Sequence, residues 1–285
     1  MEERKIHAFL KQNPLAMIGS VVILVIVMAM MLVPFLPVRD PLAQNLPNRL
    51  KPPSIDHLFG TDNYGRDVLS RVIWGGRISM LVGIFSVGLA SVIGVTLGLV
   101  SGYFGKFVDV VIMRFTDILL SFPALLLAMA ICAAIGSSLW NVIIAISIVT
   151  VPRFSRLVRG STLSVKEEDF VEAARALGQK QVKIILFHIL PNILSPILVM
   201  VTLWVPVAIM TEASLSFLGL GVMPPTPTWG NMIGEGKSYL QNAPWIALFS
   251  GGAIILVVLA FNFVGDAVRD AFDPRLKGER EVGRG

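Results

Sequence analysis

Charge is scarce in this chain. Asp, Glu, Lys and Arg make up 15% of its 285 residues, where a soluble domain carries about a quarter. The apolar residues, 54% of the total, are gathered in long runs, and the mean hydropathy is +0.74. A pair of soluble domains is therefore excluded in favour of one membrane domain. Cysteine is nearly absent: Cys132 stands alone in an apolar run, so neither an internal disulfide nor a cysteine metal cage can form. The three histidines, His7, His57 and His188, lie far apart and outside any metal-ligand spacing. The net charge of +5 comes without a basic cluster interleaved with aromatics, so nucleic acid is not expected as a partner. Basic loops at a membrane surface account for it instead.

What is present is hydrophobic length. Residues 15–36 form an uncharged run of about 22 residues, enough to cross a hydrocarbon core of roughly 30 Å. The run closes on Leu32-Val33-Pro34-Phe35-Leu36 rather than on small residues in a cleavage pattern, which favours a retained first span. Further runs cover 80–103, 118–135, 139–152, 193–211 and 246–265. The chain reads as an all-α membrane protein with about six transmembrane helices. Its parts are a segment 1–14, a first span 15–36, an outer loop 37–79, a core 80–265 holding the loop 153–190, and a tail 266–285. Arg153 cuts the fourth run short, so Arg153 and Arg156 are expected to reach the lipid headgroups. With both ends inside, 17 of the 24 lysines and arginines fall on inner segments and 7 on outer ones, which places both termini in the cytoplasm. The outer loop fits imperfectly, because six of those cations lie in 37–79 beside Asp40, Asp56, Asp62 and Asp67.

Two spans carry further patterns. Ser86, Ala90, Gly94, Gly98 and Gly102 repeat every four residues, a face that lets another helix come close, within this subunit or across a subunit boundary. Pro196 and Pro206 should bend the fifth span, whether to line a pathway or only to pack. Glu212, near the outer end of that span, is either a residue of the external mouth of a substrate pathway or an interfacial carboxylate in water.

The inner loop 153–190 is the most informative stretch. Ser164 and Glu167 have capping-box spacing, and Glu167, Glu168 and Asp169 suit the positive end of a helix dipole. Phe170, Ala173, Ala174 and Leu177 share one helical stripe, and Gly178 suits a left-handed stop. A second helical stretch, about 179–190, leads to Pro191. The acidic first turn and small stripe make a poor lipid anchor and a better protein-docking helix.

Glu172-Ala173-Ala174, then Gly178, then Leu190-Pro191 resembles the EAA loop of binding-protein-dependent ABC importers. The usual pattern has isoleucine two residues before Leu-Pro; His188 stands here, as in the peptide/nickel subfamily. Further segments resemble that subfamily: Phe59-Gly60-Thr61-Asp62-Asn63-Tyr64-Gly65-Arg66-Asp67-Val68-Leu69-Ser70-Arg71, Thr211-Glu212-Ala213-Ser214-Leu215-Ser216-Phe217-Leu218-Gly219-Leu220-Gly221 with Pro224 to Gly230 after it, and Phe261-Asn262-Phe263-Val264-Gly265-Asp266 with Asp273-Pro274-Arg275-Leu276 at the C-terminal end. The resemblance implies a type I ABC importer permease fold. It also implies a second similar permease, two cytoplasmic ATPases and an external binding protein as partners, besides the lipid bilayer. In that setting Phe170, Glu172, Ala173, Ala174, Leu177, Gly178, Leu190 and Pro191 would meet the ATPase. ATP and Mg would be used by those subunits, and no cofactor would be bound by this chain. The subfamily handles di- and oligopeptides, nickel chelates and some oligosaccharides.

Asn231-Met-Ile-Gly234-Glu-Gly236-Lys237-Ser238 imitates a phosphate-binding loop but lacks its first glycine and a preceding strand. It is rejected as a nucleotide site, which leaves the chain without a motor of its own. A secondary transporter or channel would hold ionisable groups deep in its spans, and an intramembrane hydrolase would hold a nucleophile–base pair or metal ligands there. The predicted spans are nearly free of such groups, and none contains a histidine.

Overall fold

The computed structural model describes residues 14–35 and 38–272. The segment 1–13, Leu36 and the Asp273-Pro274-Arg275-Leu276 motif lie outside the described residues. Among the described residues ten α-helices follow in order: α1 Pro14–Leu32, α2 Val68–Phe104, α3 Lys106–Leu120, α4 Ala124–Ile135, α5 Leu139–Val165, α6 Asp169–Ala176, α7 Gln181–Ile184, α8 Leu194–Phe217, α9 Trp229–Lys237 and α10 Trp245–Phe272. Among the described residues, five continuous helical segments are long and apolar enough to cross a bilayer, and the bent pair α3–α4 makes a sixth if counted as one span.

Helix α2 is the spine. Asp67 caps its start by accepting from Ser70 N at 2.9 Å, and its 37 residues extend about 55 Å, well beyond a hydrocarbon core. Its small-residue face is buried within this same subunit, against α5. A Cβ on Gly98 would lie 2.6 Å from Ser155 O, and one on Gly102 2.7 Å from Thr162 Cβ. Within one chain the face thus has its partner, and close backbone approach supplies the packing that hydrophobicity cannot supply in lipid.

The third span is not the continuous helix expected over 118–135. Helices α3 and α4 meet at 91° across Ser121-Phe122-Pro123. Pro123 lacks an N–H and pushes Phe122 out of the helical region, so α3 stops at Leu120. At about 18 Å, α4 is too short to cross a bilayer alone.

The fourth span, expected to be the weakest, is a 27-residue helix and the most buried of the candidate spans. Its arginines also have partners within the protein. Arg153 donates to Val149 O at 3.0 Å and lies 4.5 Å from the centroid of the Trp204 ring, while Arg156 pairs with Asp117 at 2.5 Å. One turn further on, Arg159 grips Asp109 of α3 through two bonds of 2.5 and 2.6 Å.

Helix α8 continues an irregular lead-in: α7, a π turn Ile185–Ile189 and a 3-10 turn Leu190–Ile193. Pro196 falls in the first turn of α8, where its missing N–H would be unpaired anyway. The break from α geometry lies instead around Pro191, while Pro206 is carried inside α8. The Asn231–Ser238 stretch is helical, chiefly in α9, with no strand before it among the described residues.

Candidate functional site

The helix expected in the inner loop is α6, but its start differs. Ser164 belongs to the last turn of α5, whose Thr162 packs on Gly102, so the Ser164–Glu167 capping box does not form. Glu168 becomes the N-cap with no side-chain bond, leaving Asp169 and Glu172 in the first turn to meet the dipole. The stop is as expected. Gly178 has φ +72°, its N–H reaches Arg175 O at 2.9 Å, and Gln179 N–H reaches Ala174 O at 3.2 Å. This is the paired 5→2 and 6→1 pattern of a Schellman turn.

The apolar stripe divides. Phe170, Ala173 and Leu177 are exposed, Leu177 by 80%, and Glu172 is exposed beside them. Ala174 is 4% exposed and turns inward with Val171, which the sequence did not single out. Both inward residues join a second hydrophobic cluster, separate from the main core, with Leu99 of α2, Val158 of α5 and Ile184, Ile185, Ile189 and Ile193 of the lead-in to α8. Leu190 packs on its edge and Pro191 is exposed. Two further ties flank this cluster: Arg175 of α6 sits 5.4 Å from the centroid of the Tyr103 ring of α2, and Lys166 Nζ, at the end of α5, donates to Gly102 O of α2 at 3.2 Å. Between these elements lies a cleft of about 470 Å³, lined in part by Tyr103, Lys166, Glu167, Arg175 and Gln179. The arrangement is a short helix anchored on one side to three spans and bare on the other.

Glu212 requires a correction. Both sequence readings gave it an open setting, yet it is fully buried, accepting from Ser79 Oγ at 2.9 Å and Ser216 Oγ at 2.6 Å. It joins α2 to α8 rather than lining an opening of this chain. Two of the six cations in the 37–79 loop, Arg66 and Arg71, belong to a cluster that the sequence did not reveal. Asp62 pairs with Arg66 at 2.6 Å and Arg71 at 2.5 Å, and Glu235 of α9 closes the square at 2.8 and 2.7 Å. Phe59 stacks on Phe249 of α10, and Trp245 Nε1 donates to Thr61 O, so the loop is fastened over the starts of α2 and α10 and beside α9.

Residues 94–278 match the family described as binding-protein-dependent transport system inner membrane component, and residues 6–53 match the N-terminal TM domain of oligopeptide transport permease C. A dipeptide transport system permease protein, DppC of Alkalihalophilus pseudofirmus, is 48% identical over 94% of this chain and 88% of its own length. A probable D,D-dipeptide transport system permease protein, DdpC of Escherichia coli, is 42% identical over 97% and 93%. A glutathione transport system permease protein, GsiD of Pectobacterium atrosepticum, is 48% identical over 79% and 75%. Among solved structures, a chain of the inward-facing MetNI methionine ABC transporter has the same fold, with a TM-score of 0.57 over 72% of this chain and 95% of that one at 19% identity. The chain therefore belongs to the binding-protein-dependent transport system inner membrane component family: it is a multi-pass inner-membrane permease subunit of an ABC importer.

Proposed function

We propose that this permease forms, with a second similar permease, the path by which peptides enter the cell. Two cytoplasmic ATPases would drive it, and an external binding protein would deliver the substrate. The names of its relatives, for dipeptides, D,D-dipeptides and glutathione, support peptide as the substrate class. ATP and Mg belong to the partner ATPases, and the cargo is moved without chemical change. Alpha6 is the contact through which ATP-driven closure is felt. One observation carries this reading: the helix is bare along Phe170, Ala173 and Leu177 and bound along Val171 and Ala174 to α2, α5 and the lead-in to α8. A force on the bare side is thus delivered to three spans at once, which is what a two-state transporter needs.

Gly178→Asp tests it. A side chain opposes the left-handed turn, and a carboxylate meets the negative end of the helix, together costing about 1–3 kcal/mol locally. Transport and ATPase recruitment, measured in the same membranes, should both fall at least tenfold while the permease itself accumulates normally. Retention of both would remove α6 from the mechanism. The charge asymmetry supports both termini in the cytoplasm. In a Cys132→Ser background an impermeant thiol reagent on intact cells should label Ile55→Cys and Gln241→Cys and spare Lys180→Cys. The reverse pattern would invert the topology.

A further inference from the structure

Between α6 and α8 the backbone changes character three times. The Schellman turn at Gly178 gives way to one α turn, then the π turn Ile185–Ile189, then the 3-10 turn Leu190–Ile193. Such transitions interrupt the regular i→i−4 ladder, and Pro191 has no N–H to give to it. A push on α6 would be absorbed in a joint this irregular unless something stiffened it. One chain of side-chain hydrogen bonds spans it. His188 Nε2 donates to Gln179 Oε1 at 2.9 Å, and Asn192 Nδ2 donates to His188 O at 2.7 Å. Gln179 is the residue whose N–H closes the Schellman turn, and Asn192 lies two residues before α8. The ties therefore run from the end of the docking helix, through the middle of the π turn, to the foot of the span.

We propose that His188 is a positioning residue, a strut that makes α6 and α8 move as one body. The inference rests on the reading of α6 as the ATPase contact and adds how that contact reaches the span. The apolar seam of Val171, Ala174, Ile184 and Ile185 holds the two elements together but has no directional bond to fix their angle. The Gln179–His188 bond supplies the angle.

The test uses the assembled importer in nanodiscs, with its ATPases, in a Cys132→Ser background. Spin labels at Ala176→Cys and Leu198→Cys report the α6–α8 distance with and without ATP plus vanadate. Separately, disulfide formation between Leu177→Cys and a cysteine in the ATPase cleft reports docking. The parent should give one narrow distance in both states. His188→Ala should keep the docking disulfide yet populate a displaced conformer about fivefold more, the scale of one net hydrogen bond. The exchange Gln179→His with His188→Gln, which keeps a donor and an acceptor, should restore the narrow distance. Docking with an unchanged distribution in His188→Ala overturns the strut and leaves the α6 contact standing, as does a parent distribution already broad. Absence of the docking disulfide in the parent overturns both.

Discussion

Replacing Gly98 by leucine should abolish assembly of the permease, reducing membrane-inserted folded protein by more than tenfold. Leucine is the better helix former by close to 1 kcal/mol, so propensity alone predicts the opposite sign. Packing decides. Position 98 has Ser155 O at 2.6 Å, Val158 Cβ at 2.7 Å and Arg159 N at 2.9 Å from where a Cβ would stand, and two of these are backbone atoms that cannot rotate away. Overpacking a close-packed site costs about 1–3 kcal/mol even when side chains can shift. Here α2 and α5 would have to separate along the seam that also carries Gly94 and Gly102. Gly88 is the matched control on the same helix: a Cβ there meets nothing within 4 Å, so Gly88→Leu should assemble. Detergent-extracted protein, quantified by size-exclusion fluorescence, separates the two. Equal yields would mean that the α2–α5 contact is not the backbone of the fold.

The second large effect is expected in the 37–79 loop. In Asp62→Asn the two guanidiniums, with Arg71 only 1% exposed, are left to share Glu235, and the new amide turns a donor toward them. Breaking a buried ion pair from one side costs about 3–5 kcal/mol, because the remaining charge stays desolvated. For a chain of this size that corresponds to a Tm lower by roughly 10 °C. Asp62 also accepts Tyr64 N and Arg66 N, bonds that asparagine can keep, so the loss isolates the charge. Adding Arg71→Met, which restores neutrality, should recover part of the stability. An unchanged Tm in Asp62→Asn would show that the loop is not fastened by this cluster.

These two sites also show what the sequence could and could not disclose. The apolar runs, the small-residue face and the Gly178 stop follow from local periodicity and backbone sterics, and they could be read directly. The destination of the small-residue face could not, because a close-approach surface looks the same whether its partner is α5 or another chain. The α3–α4 bend had a signal in Phe122-Pro123 that hydropathy averaging hid. The capping box failed because α5 continues through Ser164, held by a contact with α2 far away in sequence. Asp62 and Glu235 lie far apart in sequence and meet only through Arg66 and Arg71, and no local rule joins them. Glu212 looked peripheral by its place along the span, whereas its hydroxyl partners Ser79 and Ser216 seal it. Alanine is small enough to sit on either side of a helix, so the Ala173–Ala174 pair could not be divided until Val171 was seen to share the inward side.

That division gives the most direct test of α6 as the ATPase contact. In a Cys132→Ser background, single cysteines at Ala173 and Ala174 are paired in turn with one in the docking cleft of the partner ATPase. Ala173 is exposed and Ala174 is 4% exposed, one residue away on the same helix. The account predicts a disulfide from Ala173→Cys whose yield changes with nucleotide, and at least tenfold less from Ala174→Cys. Equal crosslinking from both, or none from Ala173→Cys in a complex that still transports, would contradict it.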